Sequence, residues 1–179
     1  MTDYRTLVFF AIGAFVAATG SAAAQIASNA VISTSGVGAA KFGMTLAQAA
    51  SAGVALVPEP HTEAATCFYA RALAVPGLTF MIRDGRIVRA DMRKPANLKT
   101  IDGFKRGDGE TPIVSFYAAT SAGASDFPLS DASDITLIAS PEFSSGENVP
   151  RLVYEVTADA GVVAIHAGWV PRDLHGCGK

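Results

Sequence analysis

Sixteen residues from Leu78 to Arg93 limit the fold more than any others in this chain. They form two alternating runs around Asp84-Gly85. Asp-Gly between such runs is the strongest short-range hairpin signal, because both turn positions tolerate positive φ. On the first run Leu78, Phe80 and Ile82 face one way, and Thr79, Met81 and Arg83 face the other. On the return run Val88, Ala90 and Met92 share a face, while Arg89, Asp91 and Arg93 share the opposite face with Ile87. One side of this hairpin needs an apolar cover, and the other carries charge.

The rest of the chain reads as a second version of this unit. Arg151 to Thr157 and Val162 to Val170 flank Asp159-Ala160-Gly161, a second hairpin. Thr66–Leu73 and Ile135–Ala139 read as further strands. Thr45 with Gln48 three residues on makes a capping box, with Gly53 as the stop. Pro112–Ala119 reads as a second helix, with Thr111 as cap and Pro112 at its first position. Thr120–Asp134 and Pro141–Pro150 are rich in Ser, Ala, Gly, Asp and Pro and read as loops. The expected fold class is α+β, with two tandem helix–three-strand units forming one mainly antiparallel sheet and the helices on one face. The units span about 37–95 and 96–179, and 25–36 is expected to be a flexible lead-in.

Residues 1–24 have the three-part layout of a secretory signal. A short polar start precedes the twelve apolar residues Leu7–Ala18, and Ala22 and Ala24 stand before a cleavage point at Gln25. A permanent span needs about 20 residues. No Cys stands at the cleavage point for a lipid anchor. The expectation is a soluble periplasmic or secreted protein with no membrane span. Cleavage would leave 155 of the 179 residues and a net charge of −2, too near neutral for a nucleic-acid binder. In an oxidising compartment Cys67 and Cys177 are first read as a disulfide. That bond would close a loop of about 110 residues and contribute roughly 4–5 kcal/mol in the chain-entropy picture. The alternative is a metal or redox pair helped by His175, although His-x-Cys alone is a poor metal signature.

Phe42-Gly43-Met44-Thr45-Leu46 before the first helix, Gly107 before the second, and the hairpins at Asp84-Gly85-Arg86 and Gly161 carry a resemblance. The pattern resembles the tandem helix–sheet modules of β-lactamase inhibitory proteins and the single module of the small barrel-assembly-machinery lipoproteins. It is also similar to exported bacterial proteins with a strand ending in Asp-Gly-Arg-Ile-Val and a Cys near the C-terminus. The resemblance implies a binding scaffold whose uncovered sheet face meets another protein. The chain departs from the lipoproteins in lacking the anchor Cys.

Catalytic signatures are few. There is no Gly-x-Ser-x-Gly elbow, and a bonded cysteine pair leaves no thiolate nucleophile. His61 with Glu63 lacks a third metal ligand. Gly36–Lys41 lacks the Gly-Lys-Ser/Thr ending of a phosphate loop. Asp126, Asp131 and Asp134 do not have EF-hand spacing. His166 reads as a surface or half-buried sheet histidine. No metal or cofactor is expected.

Charge is the outstanding feature. From Arg83 to Arg106 eight basic residues face three acidic ones, and from Gly107 to Asp159 nine acidic residues face one basic one. Such fields steer charged partners. The expected site is a basic sheet face formed by Arg83, Arg89, Asp91 and Arg93, taking a protein or envelope component as partner. Two alternatives are a hydrolase with dispersed acid and base residues and a small-ligand carrier. Facing carboxylates in a deep cleft would favour the first, and a closed apolar cavity the second.

Overall fold

The Asp84-Gly85 turn forms with both residues at positive φ, 50° and 73°, and it joins two largely buried strands. The computed structural model describes residues 26–60, 66–119, 125–128, 135–140, 149–170 and 176–177. The expected leader lies outside them. In chain order the elements are β1 (Val31–Ser33), β2 (Gly36–Val37), β3 (Ala40–Lys41), α1 (Leu46–Ser51), β4 (Leu56–Pro58), β5 (Cys67–Ala72), β6 (Leu78–Arg83) and β7 (Arg86–Met92). They continue with β8 (Lys99–Thr100), α2 (Glu110–Ala118), β9 (Ser125–Pro128), β10 (Thr136–Ala139), β11 (Arg151–Thr157) and β12 (Gly161–Gly168).

The strands make two sheets. An eight-stranded antiparallel sheet runs β4-β5-β6-β7-β12-β11-β10-β9, and a four-stranded sheet runs β3-β2-β1-β8. In the second sheet β1 pairs with β8 in parallel. The expected single sheet of two helix–three-strand units is therefore overturned. The protein is mainly β, and the described residues hold only two short helices. The physical reason lies in β1 to β4, β8 and β9, which are two to four residues long. Alternation cannot show over so few residues, and such strands are held by long-range pairing rather than by local pattern. Val31–Ser33, within the expected lead-in, is β1, and its Ile32 is buried.

One face of the large sheet packs on the small sheet and the helices. Phe80, Ile82, Ile165 and Tyr154 join Ile32, Val37, Ala49 and Ile113 in one apolar core. The capping box of α1 forms as expected, with Thr45 Oγ1 accepting from the Gln48 amide and Gln48 Oε1 from the Thr45 amide. Helix α2 begins earlier than expected. Gly109 is its N-cap without a side-chain bond, and Thr111 lies inside the helix.

Bulges correct the reading of faces. Met81 pairs with Arg89 but Ile82 with Ile87, so β7 holds one extra residue there. Ile87 thereby turns to the core side, away from Arg89, and is fully buried. A matching shift separates the Glu155–Ala164 and Val156–Val162 pairs of β11 and β12. At the central seam Gly168 has φ +104°, and a Cβ there would strike the Val88 carbonyl and the Phe42 ring. That carbonyl accepts the Trp169 amide at 2.9 Å.

Candidate functional site

Alternation along β7 sends Arg89, Asp91 and Arg93 to the face opposite the apolar core. Register assembles their neighbours. Asp91 stands beside Thr79 of β6 and His166 of β12. Tyr69 of β5 stands beside Met81, which pairs with Arg89. Glu155 enters from β11, one strand beyond His166.

These side chains form a continuous ion chain across three strands. Arg89 Nε lies 2.8 Å from Asp91 Oδ1, and its Nη2 donates to Oδ2 at 3.0 Å and to the Tyr69 hydroxyl at 3.1 Å. His166 Nδ1 meets Asp91 Oδ1 at 2.6 Å, and its Nε2 meets Glu155 Oε1 at 2.8 Å. Arg93 clamps Glu155 from above, Nη2 to Oε1 at 2.7 Å and Nη1 to Oε2 at 3.2 Å. Two carboxylates at hydrogen-bond distance on both ring nitrogens require both nitrogens to donate, so the ring is an imidazolium.

The titration shifts agree. Burial alone would push the His166 pKa down, but its bonds to Asp91 and Glu155 and their charges outweigh this and hold it above the ordinary value. Burial would raise Asp91, yet His166 and Arg89 hold its carboxyl below the usual range. Glu155 is likewise lowered against its burial by His166 and Arg93. Arg89, Asp91, Glu155 and His166 are all buried, whereas the Arg93 side chain is 58% exposed.

A cavity of about 330 Å³ opens over this chain, walled also by Tyr69, half-buried Glu59 and Gly176. The Cys67–Cys177 disulfide fixes its rim. Cys67 lies on β5 two residues before Tyr69, on the same face. Gly176 packs so closely on the Tyr69 hydroxyl that a Cβ there would collide with it. The bond therefore staples Gly176 onto the cavity wall.

The core face carries a second polar group of a different kind. The Tyr117 hydroxyl donates to Asp102 at 2.6 Å and lies 3.1 Å from the Tyr154 hydroxyl, which donates to Thr100 Oγ1 at 3.1 Å. Burial pushes both tyrosines up, Tyr154 to about 12.

The four expected binding residues do share one face, but they differ in access. Arg83 and Arg93 are exposed, while Arg89 and Asp91, expected to point outward into solvent, are buried. Among the described residues, the exposed cations of this face are therefore Arg71, Arg83 and Arg93, with Arg86 beside Arg83. Gly36–Lys41, considered as a phosphate loop, forms the β2–β3 hairpin. Asp126 pairs with Ile138 on β9, and His61, Glu63, Asp131, Asp134 and His175 lie outside the described residues. Asp91 and Glu155 take opposite ring nitrogens of His166 and do not converge as metal ligands. Sequence reasoning missed Glu155 and the central place of His166. The β7–β12 and β11–β12 pairings that bring them to Asp91 are long-range and leave no local signal.

No protein-family model, no curated protein and no solved structure matches this chain.

Proposed function

We propose that this is an exported, non-catalytic binding protein that meets a protein or envelope partner through the ionic face of its eight-stranded sheet. The observation that carries this reading is the state of the ion chain. Both carboxylates are held ionised and both nitrogens of His166 are engaged. A glycosidase-like hydrolase needs one carboxyl kept protonated as its acid, and a histidine base needs a free nitrogen. The apolar pocket bounded by Ile26, Val54 and Leu73 measures about 50 Å³, well below the ~300 Å³ at which ligand pockets begin, so this pocket does not support a carrier of apolar ligands. Exposed Arg71, Arg83 and Arg93 on the ionic face supply the charge that steers an acidic partner.

The test is capture from an envelope extract with the oxidised mature protein and with an Arg71→Glu/Arg83→Glu variant. The expected result is a partner that the parent protein retains and the variant loses, with melting unchanged. Equal capture by both, or no partner above background, overturns the proposal.

A further inference from the structure

We propose that the cavity over the ion chain is a carboxylate-binding site in which the open edge of Arg93 takes the ligand. This rests on the ionic face being a recognition surface and adds the chemistry that it recognises. A guanidinium carries five N–H donors in a rigid fork. Arg93 spends one hydrogen of Nη1 and one of Nη2 on Glu155. Its Nε–H and the outward hydrogen of Nη2 form a second edge of the fork, spaced for the two oxygens of a carboxylate. The side chain lines the cavity and is 58% exposed, so this edge is within reach.

What sets Arg93 apart from an ordinary surface arginine is how it is held. Glu155 orients it, His166 fixes Glu155, Asp91 fixes His166, and Arg89 fixes Asp91. A donor fixed before its ligand arrives loses little conformational entropy on binding. Buried ion pairs rarely add net stability over apolar residues of the same size. Such a chain beneath a cavity is better accounted for as the support of a preorganised donor than as a fold stabiliser.

Charge and size narrow the ligand. Among the described residues the five-membered chain carries one net positive charge, and Glu59 adds an acidic group on the rim. One fork beside an acidic rim suits one carboxylate and disfavours a multiply charged oxyanion. About 330 Å³ lies at the small end of ligand pockets, the size of a small organic acid or of one acidic side chain.

The oxidised mature protein is titrated calorimetrically at constant ionic strength with acetate, succinate and a capped peptide holding one glutamate, with sulfate as competitor. Saturable carboxylate binding is expected. Arg93→Ala and Arg93→Gln should each weaken it about tenfold or more, the loss of one charge-assisted pair. Lys99→Ala, an exposed cation on the other sheet, should leave it unchanged. Binding of the free acids alone identifies a small-molecule ligand, and binding of the peptide identifies a partner's side chain. No saturable carboxylate binding, undiminished binding by both Arg93 variants, or equal displacement by sulfate overturns the proposal. If carboxylates fail to bind while capture still depends on Arg71 and Arg83, the ligand assignment falls and the binding function stands. If both fail, the function falls with it.

Discussion

The two faces of the large sheet are built from the same strands yet hold their neighbours by different physics. The core face excludes water with Phe80, Ile82, Ile165 and their cover, and its buried hydroxyls form a neutral group at Tyr117 and Tyr154. The opposite face buries Arg89, His166, Asp91 and Glu155 beneath an exposed Arg93 and fixes its rim with a covalent bond. Dispersion and apolar burial are non-directional and tolerate sliding. An imidazolium between two carboxylates needs particular atoms at particular distances. The contrast implies that the core face supplies most of the folding free energy, while the ionic face holds a defined arrangement of donors. Experiments that act on one face and spare the other test this.

The largest expected effect is on the ionic side. Replacing both Cys67 and Cys177 with Ser opens a loop with a sequence separation of 110. Equilibrium unfolding in urea should show a loss of roughly 4–5 kcal/mol. If the covalent rim matters only to the ionic face, the Tyr117–Tyr154 group keeps its native near-ultraviolet signal at low denaturant. A loss of that signal in water would mean that the bond also organises the core.

Much of the core face was legible in the sequence. Leu78, Phe80 and Ile82 alternate over a full strand, and Asp84-Gly85 fixes the turn, so local pattern and fold agree. The first helix start followed from Thr45 and Gln48, and the disulfide from an even cysteine count with an expected export signal. The four-stranded sheet was not legible, because Gly36–Val37 and Ala40–Lys41 are too short to show a period. The ionic site was half legible. Arg89, Asp91 and Arg93 were placed on the correct face, but their burial depends on what β12 and β11 bring beside them. The charge blocks held a clue, since Arg93 of the basic segment pairs with Glu155 of the acidic one. Charge alone could not say which residues would meet.

Paired substitutions of next size sharpen the comparison. Near pH 6, His166→Ala should cost about 3–5 kcal/mol, because it leaves two buried carboxylates without their shared cation. Phe80→Ala should cost a similar amount, about 3–5 kcal/mol, through a cavity. The two losses differ in their pH dependence. The Phe80→Ala penalty should stay level between pH 6 and 9. The His166→Ala penalty should shrink as pH rises, because the parent protein itself loses the imidazolium.

The parent's own pH profile follows from the same shifts. The folded pKa of His166 is raised, so its contribution is complete below the unfolded value of about 6.5 and is lost as pH climbs through the folded value. The folded pKa values of Asp91 and Glu155 are lowered. Their contributions are complete above the unfolded values of about 4 and are lost as pH falls through the folded ones. Melting temperature should therefore form a plateau between about pH 4.5 and 6.5 and fall on both sides. A maximum near pH 9 would contradict a protonated His166. Nitrogen NMR of labelled histidine gives a direct check, since both ring nitrogens should carry protons at pH 6.

The smallest effect belongs to the core face. Tyr154→Phe removes one hydroxyl from a group in which Tyr117 still bonds to Asp102, so the cost should be about 1 kcal/mol. Below pH ~10 neither tyrosine ionises in either state, and the cost should not vary with pH. Above it the unfolded chain releases a proton that folded Tyr154 retains until about pH 12. The parent protein then loses stability between those values, while the Tyr154→Phe variant is spared that part of the loss. The difference between variant and parent should therefore narrow above pH ~10, by unfolding curves taken at pH 8 and pH 11. A constant difference would mean that Tyr154 is not held neutral by burial. It would also bring the hydroxyl group of the core face closer in behaviour to the charged chain on the opposite side.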